Sequence, residues 1–198
     1  HPMELISQGK GNTDLISGYT SSSIGISEQI TLNVGVNAQV LTLNNSWTLE
    51  PRAGIKWQFS PKSSFALAYG LHSRMEKMDV YFVKTQGTGD RSVNKDLGFT
   101  RAHHVMLSYG FKISDNMNMK IEPYFQQLYD VPVIADSSYS VLNRRDFYVE
   151  NALVNRGKGR NIGVDITLER YLNKGLYYMM TASIFDSKYY GGDRKWRN

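Results

Sequence analysis

From Ile30 to Val40 the chain changes character at every residue. Ile30, Leu32, Val34, Val36, Ala38 and Val40 alternate with Thr31, Asn33, Gly35, Asn37 and Gln39. Successive side chains of a strand point to opposite faces, so this pattern predicts a strand with one apolar and one polar face. The alternation returns in "LEPRAGIKWQF" (49–59), "FALAYGLHSR" (65–74), "HVMLSYGFKI" (104–113), "MNMKIEPYF" (117–125) and "IGVDITLE" (162–169). It is looser in "LYYMMTASIFDSKY" (176–189). No stretch carries a helical 3.6-residue period. The pattern predicts an all-β chain: an antiparallel up-and-down meander of about eight long strands.

Two architectures use such strands. A soluble sandwich packs the apolar faces of two sheets together, whereas a transmembrane β-barrel turns them to lipid and its polar faces to a wet interior. Three features favour the barrel. The runs outlast the roughly 5 or 6 residues of an ordinary soluble strand and match the roughly 9–11 that cross a bilayer at a tilt. The connections alternate in size: "SEQ" (27–29), "SPKSS" (60–64), "SDNM" (114–117) and "NKG" (173–175) are tight, while 84–100 and 135–160 are long, with the short "NNSW" (44–47) an exception. Short turns at one rim and long loops at the other are a barrel's arrangement. Trp57, Phe59, Phe65, Tyr69, Tyr109, Phe111, Tyr171, Tyr177 and Tyr178 also crowd the short-turn end, as an interfacial aromatic girdle would.

Composition narrows the rest. The mean hydropathy of −0.41 suits strands that expose apolar groups only at alternate positions, and no apolar run reaches the roughly 18 residues of a membrane helix. The net charge is +5, but cations and carboxylates are interspersed, without the clustered basic stripe of a nucleic-acid-binding protein. With no cysteine there is neither a disulfide framework nor a thiolate metal site. "HPMELISQGK" opens without a charged-then-apolar signal segment and "GGDRKWRN" is polar and loop-like; residues 1–15 are expected to be poorly ordered and the whole of 1–198 to be one segment of a larger barrel.

The wording of the later strands is specific. "VNRGKGRNIGVDITLERYLNKGLYYMMTASIFDSKYYGGDRKWRN" resembles the C-terminal half of a TonB-dependent outer-membrane receptor, and "LEPRAGIKWQFSPKSSFALAYGLHS" and "LGFTRAHHVMLSYGF" fit the same family, with "YFQQLYDVPV" as a following strand. The likeness runs from about Leu32 onward. It implies a barrel of about 22 strands filled by an N-terminal plug, in the outer membrane of a Gram-negative bacterium. The implied activity is binding and energised import of a scarce nutrient: an iron chelate, cobalamin, an oligosaccharide or a peptide. Its partners would be outer-membrane lipid, the nutrient ligand and TonB, reached through a plug domain that these 198 residues do not contain. No cofactor and no bond chemistry are implied. The competing readings are a soluble β-sandwich that binds a ligand and a small outer-membrane barrel enzyme.

Several residues invite a sharper role. His103 and His104 are strand neighbours and point apart, so they cannot chelate one ion together; His72 and His104 share a polar face but lack an obvious third ligand. Asp165 and Glu169 lie about 13 Å apart along one strand, beyond the roughly 5–9.5 Å of a glycosidase acid pair. "NRGKGRN" carries G-x-G without the strand–turn–helix a phosphate cradle needs. The candidates for ligand contact are therefore diffuse. In the loop 135–160 they are Tyr139, Arg144, Arg145, Phe147, Tyr148 and Arg156, suited to stacking and bidentate hydrogen bonds. On the polar strand faces they are Arg52, Lys56 and Arg74, which would attract an anion.

Overall fold

A computed structural model describes residues 7, 9–84, 92–143, 149–173 and 175–198. Of residues 1–15, expected to be poorly ordered, 1–6 and 8 lie outside the described residues, while Ser7 bridges Val83 and Leu15 opens the first strand. Eight long strands follow one another: β1 (Leu15–Gly25), β2 (Ile30–Leu41), β3 (Ser46–Ser60), β4 (Ser63–Arg74), β5 (Thr100–Ser114), β6 (Met117–Val133), β7 (Val154–Asn173) and β8 (Leu176–Tyr190), with a short β9 (Trp196–Arg197). They form one antiparallel sheet in sequence order, the meander that the alternation predicts and the arrangement of part of a β-barrel.

Register carries the apolar stripe from strand to strand. Leu32 faces Ile55, Ile55 faces Leu67, Leu67 faces Leu107; further on, Phe125 faces Ile162 and Val164 faces Ile184. A slip of one residue would move every one of these to the other face. Among the described residues no second layer covers them: Ile55, Leu67, Val105, Phe125, Ile162 and Ile184 are all exposed, Ile184 at 76%. An open apolar face of this extent is far outside the habit of a soluble monomer.

The buried core lies elsewhere. Leu41, Val80, Tyr81, Val83, Leu97, Phe99, Val149 and Leu153 cluster where the long connections meet, with the one-turn helix α1 (Met78–Tyr81) inside the first of them. The loops thus fold on each other and over the upper end of the polar face, where Thr48 and Glu50 are buried beneath them. Side-chain amides join the pieces. Asn44 Nδ2 donates to the carbonyls of Lys95 and Leu97 at 3.0 and 2.7 Å. The buried Asn94 donates to Asn151 O at 3.0 Å and accepts from Leu153 N at 2.7 Å, so one side chain satisfies backbone groups that would otherwise be costly to bury.

Four details differ from the sequence expectation. β1 is a full strand although it is not among the alternating segments of the sequence, because Gly18, Thr20 and Ser22 occupy its positions opposite Ala38, Val36 and Val34. "YFQQLYDVPV" is not a separate strand; it continues β6 past irregularities at Leu128, Val131 and Pro132, with Asp130 at φ 53°. The loop expected to run to Arg160 ends at Leu153, since "NRGKGR" is already paired within β7. Its glycines serve close approach: a Cβ on Gly157 would lie 2.4 Å from Val133 Cγ1, and one on Gly159 would lie 2.8 Å from Leu142 Cδ1. Finally, the aromatic girdle is narrower. Trp57, Phe59, Tyr109 and Phe111 pack in a row, but Tyr69 sits higher, bonded to His103. Tyr171 and Tyr177 turn to the polar face, where they bond Asn118 and Glu169.

Candidate functional site

The polar faces of β1 to β5 line an open groove of about 920 Å³. Tyr19, Ser21, Asn33, Asn37, Arg52, His72, His104 and Met106 project into it, while Gly35, Gly54 and Gly70 keep its floor low. Gly35 lies so close to β1 that a Cβ there would sit 3.0 Å from Thr20 O.

At the upper end of the groove Glu50 gathers donors from three strands. Asn37 Nδ2 donates at 3.1 Å, Gln39 Nε2 at 2.8 Å, Arg52 Nη2 at 2.9 Å and Ser73 N at 3.0 Å, and the Ser73 hydroxyl donates as well. The carboxylate is 2% exposed, whereas its Arg52 partner is 50% exposed. A buried carboxylate is tolerable only when its oxygens are satisfied in this way. The consequence is orientation: Arg52 is held by one nitrogen and offers the rest of its guanidinium to the groove.

Beside this knot two imidazoles and a phenol meet. The rings of His72 and His104 are 6.2 Å apart, edge to face, and His104 meets Tyr124 at 6.3 Å in the same manner. The His72 ring folds back over Gly70, where an added Cβ would lie 2.7 Å from Nε2. The wall is therefore a mixture of donors, acceptors and aromatic faces, suited to binding a polar ligand. Among the described residues no three His, Asp or Glu side chains converge as metal ligands would.

The sequence-derived candidates are not gathered in one place. Arg52, Lys56 and Arg74 share the polar face, but they occupy register with Gly70, Ala66 and Thr100 respectively. Steps of four residues set them roughly 13 Å apart along the strands. Tyr139 packs against the loop-end core. Arg156 lines a smaller hollow of about 300 Å³ with Asp136, Lys158 and Arg194. Arg144, Arg145, Phe147 and Tyr148 lie outside the described residues. As expected, His103 and His104 take opposite faces; His103 stacks between Tyr69 and Tyr129 on the apolar side. Asp165 stands in register with Glu122 and Ser183 on the polar face. Sequence reasoning missed Glu50. Its signal lay in register: once β2 and β3 are paired, Asn37 and Glu50 fall opposite each other.

No family model and no curated protein sequence matches this chain. The fold itself has a solved counterpart, described as the FrpB iron transporter from Neisseria meningitidis (F3-3 variant). The superposition covers 92% of this chain and 27% of that one, with a TM-score of 0.63 and 16% sequence identity. The long-stranded meander is thus an outer-membrane barrel-like fold, and this chain spans about a quarter of the length of its structural counterpart.

Proposed function

We propose that this chain is part of an outer-membrane receptor that binds and admits a small polar nutrient, an iron chelate, cobalamin, an oligosaccharide or a peptide, with energy supplied through TonB and a plug domain. The observation that carries the reading is the two-faced sheet. An uncovered apolar stripe crosses its strands, and behind it lies a groove furnished with Arg52, His72 and His104, the last of them against Tyr124. Lipid is the one surrounding that stabilises the first and leaves the second wet. The likeness to an iron transporter supports a transporter-like barrel. The cell outer membrane of a Gram-negative bacterium is the location this reading gives. Function here is binding and passage, with no bond made or broken.

The direct test has two stages. The chain is refolded with phosphatidylcholine vesicles and its partition is followed, then iron chelates, cobalamin, oligosaccharides and peptides are titrated by calorimetry. Insertion followed by saturable binding of one class supports the reading. Arg52→Gln is then expected to weaken an anionic ligand about tenfold, the loss of one charge-assisted bond of roughly 1.5 kcal/mol. A chain that stays dispersed in water without vesicles or detergent contradicts it.

A further inference from the structure

The apolar stripe does not end evenly. On its long-loop side, in β7 and β8, the side chains on the same face turn abruptly charged, with cations outnumbering the one carboxylate, Asp186. Ile162 gives way to Arg160 and then Lys158, and Ile184 gives way to Asp186 and then Lys188. One such step along a strand is roughly 7 Å. Aromatic rings back these cations: Lys158 Nζ lies 5.9 Å from the centre of the Tyr190 ring, and the Arg160 guanidinium lies 5.9 Å from that of Trp196. Amphipathic rings at this level are what a membrane–water border selects.

Two shallow hollows open here. One, of about 410 Å³, is lined by His103, Gln127, Tyr129, Lys158 and Trp196. The other is the hollow of about 300 Å³ that contains Arg156, Lys158 and Arg194 against a single carboxylate, Asp136. Beside them Arg160 and Lys188 share Asp186 at 3.9 and 3.7 Å, the outer limit of ion pairing. Arg160 Nε is buried and has no hydrogen-bond partner. Positive charge is therefore in excess, loosely compensated, and partly unsatisfied. Arg101 belongs to a different arrangement, since it is tied to Asp130 at 2.7 Å.

Resting on the barrel reading above, we propose that this outward rim of β7 to β9 is a binding site for the phosphorylated headgroup of a lipid in the surrounding leaflet. The acyl chains lie against Phe125, Ile162 and Ile184, and the headgroup phosphate reaches Lys158, Arg160 and Lys188. Charge complementarity selects this occupant over a zwitterionic lipid. The apolar stripe directly below selects it over a soluble anion, because a free phosphate gains nothing from that stripe.

The test uses the full chain in phosphatidylcholine nanodiscs, titrated with a diphosphorylated disaccharide lipid (lipid A) and, separately, with inorganic phosphate. Retained lipid is read by native mass spectrometry. Saturable enrichment of lipid A is expected. The triple variant Lys158→Gln, Arg160→Gln, Lys188→Gln should bind it roughly a hundredfold more weakly, since each surface cation contributes about 1 kcal/mol towards an anionic headgroup. Lys62→Gln with Lys112→Gln, at the short-turn end, should leave binding unchanged. Lys158→Arg with Lys188→Arg should preserve it and excludes a folding defect as the cause of any loss. Equal binding by the triple variant, or displacement of lipid A by inorganic phosphate alone, would overturn the proposal while leaving the barrel reading intact. Failure to enter the bilayer at all would instead remove the barrel reading and this inference with it.

Discussion

The molecule holds two collections of apolar side chains with opposite fates. At the loop end, Phe99, Val80, Val83 and Leu97 are at most 4% exposed, packed as in any water-soluble core. Along the strands, residues of the same chemistry stand open: Leu67 at 44%, Ile162 at 49%, Ile184 at 76%. The first group satisfies the hydrophobic effect within the protein, and the second leaves that work to its surroundings. The loops are therefore a small aqueous-type fold mounted on a sheet whose apolar face the protein leaves open. Solvent and sequence spacing, not residue type, separate the two.

Truncation and charge substitution break the two regions in different ways. Phe99→Ala should cost about 3–5 kcal/mol of loop-end stability, because the cavity cannot collapse; hydrogen exchange over residues 92–99 and 149–153 of the vesicle-inserted chain reads it. Leu67→Ala should show a much smaller loss, with acyl chains filling the space. Leu67→Arg is the converse. It should lower stability by about 2–4 kcal/mol in a bilayer, where a cation near the midplane is poorly solvated; urea titrations of the vesicle-inserted chain read the loss.

Asn94→Ala should cost about 1–3 kcal/mol by orphaning the Leu153 amide and the Asn151 carbonyl, again visible as faster exchange confined to the loop end. The smallest effect is a pH response. Burial pushes the Tyr81 phenol above its ordinary value, so the neutral form is favoured by folding. Its contribution is complete below the unfolded value of about 10 and is lost as pH rises through the folded one. Loop-end stability should thus fall in strong alkali, and Tyr81→Phe should flatten that fall without altering the strands.

Alternation made the strand faces legible from sequence, since Ile162, Val164, Ile166 and Leu168 keep period two wherever one face is greasy. It failed where small polar residues sit on that face, as Thr20 and Ser22 do in β1. It also failed where glycine looked like loop, as Gly157 and Gly159 did in "NRGKGR"; there the glycines make room for Val133 and Leu142. The polar face was legible residue by residue, so Arg52, Lys56 and Arg74 fell where expected. The Glu50 knot was not, because it draws on Asn37, Arg52 and Ser73 from three strands and exists only once their register is set. The outward cations Lys158 and Lys188 were hidden for the same reason.

Spin labels placed singly from residue 162 to residue 169 of β7, in the chain refolded into phosphatidylcholine vesicles, address the lipid-facing surface most directly. Collision with membrane-dissolved oxygen should peak at 162, 164, 166 and 168, and collision with a water-soluble nickel chelate at 163, 165, 167 and 169. If 162, 164, 166 and 168 are instead shielded from both reagents, a second protein layer covers them and the lipid-facing account is wrong.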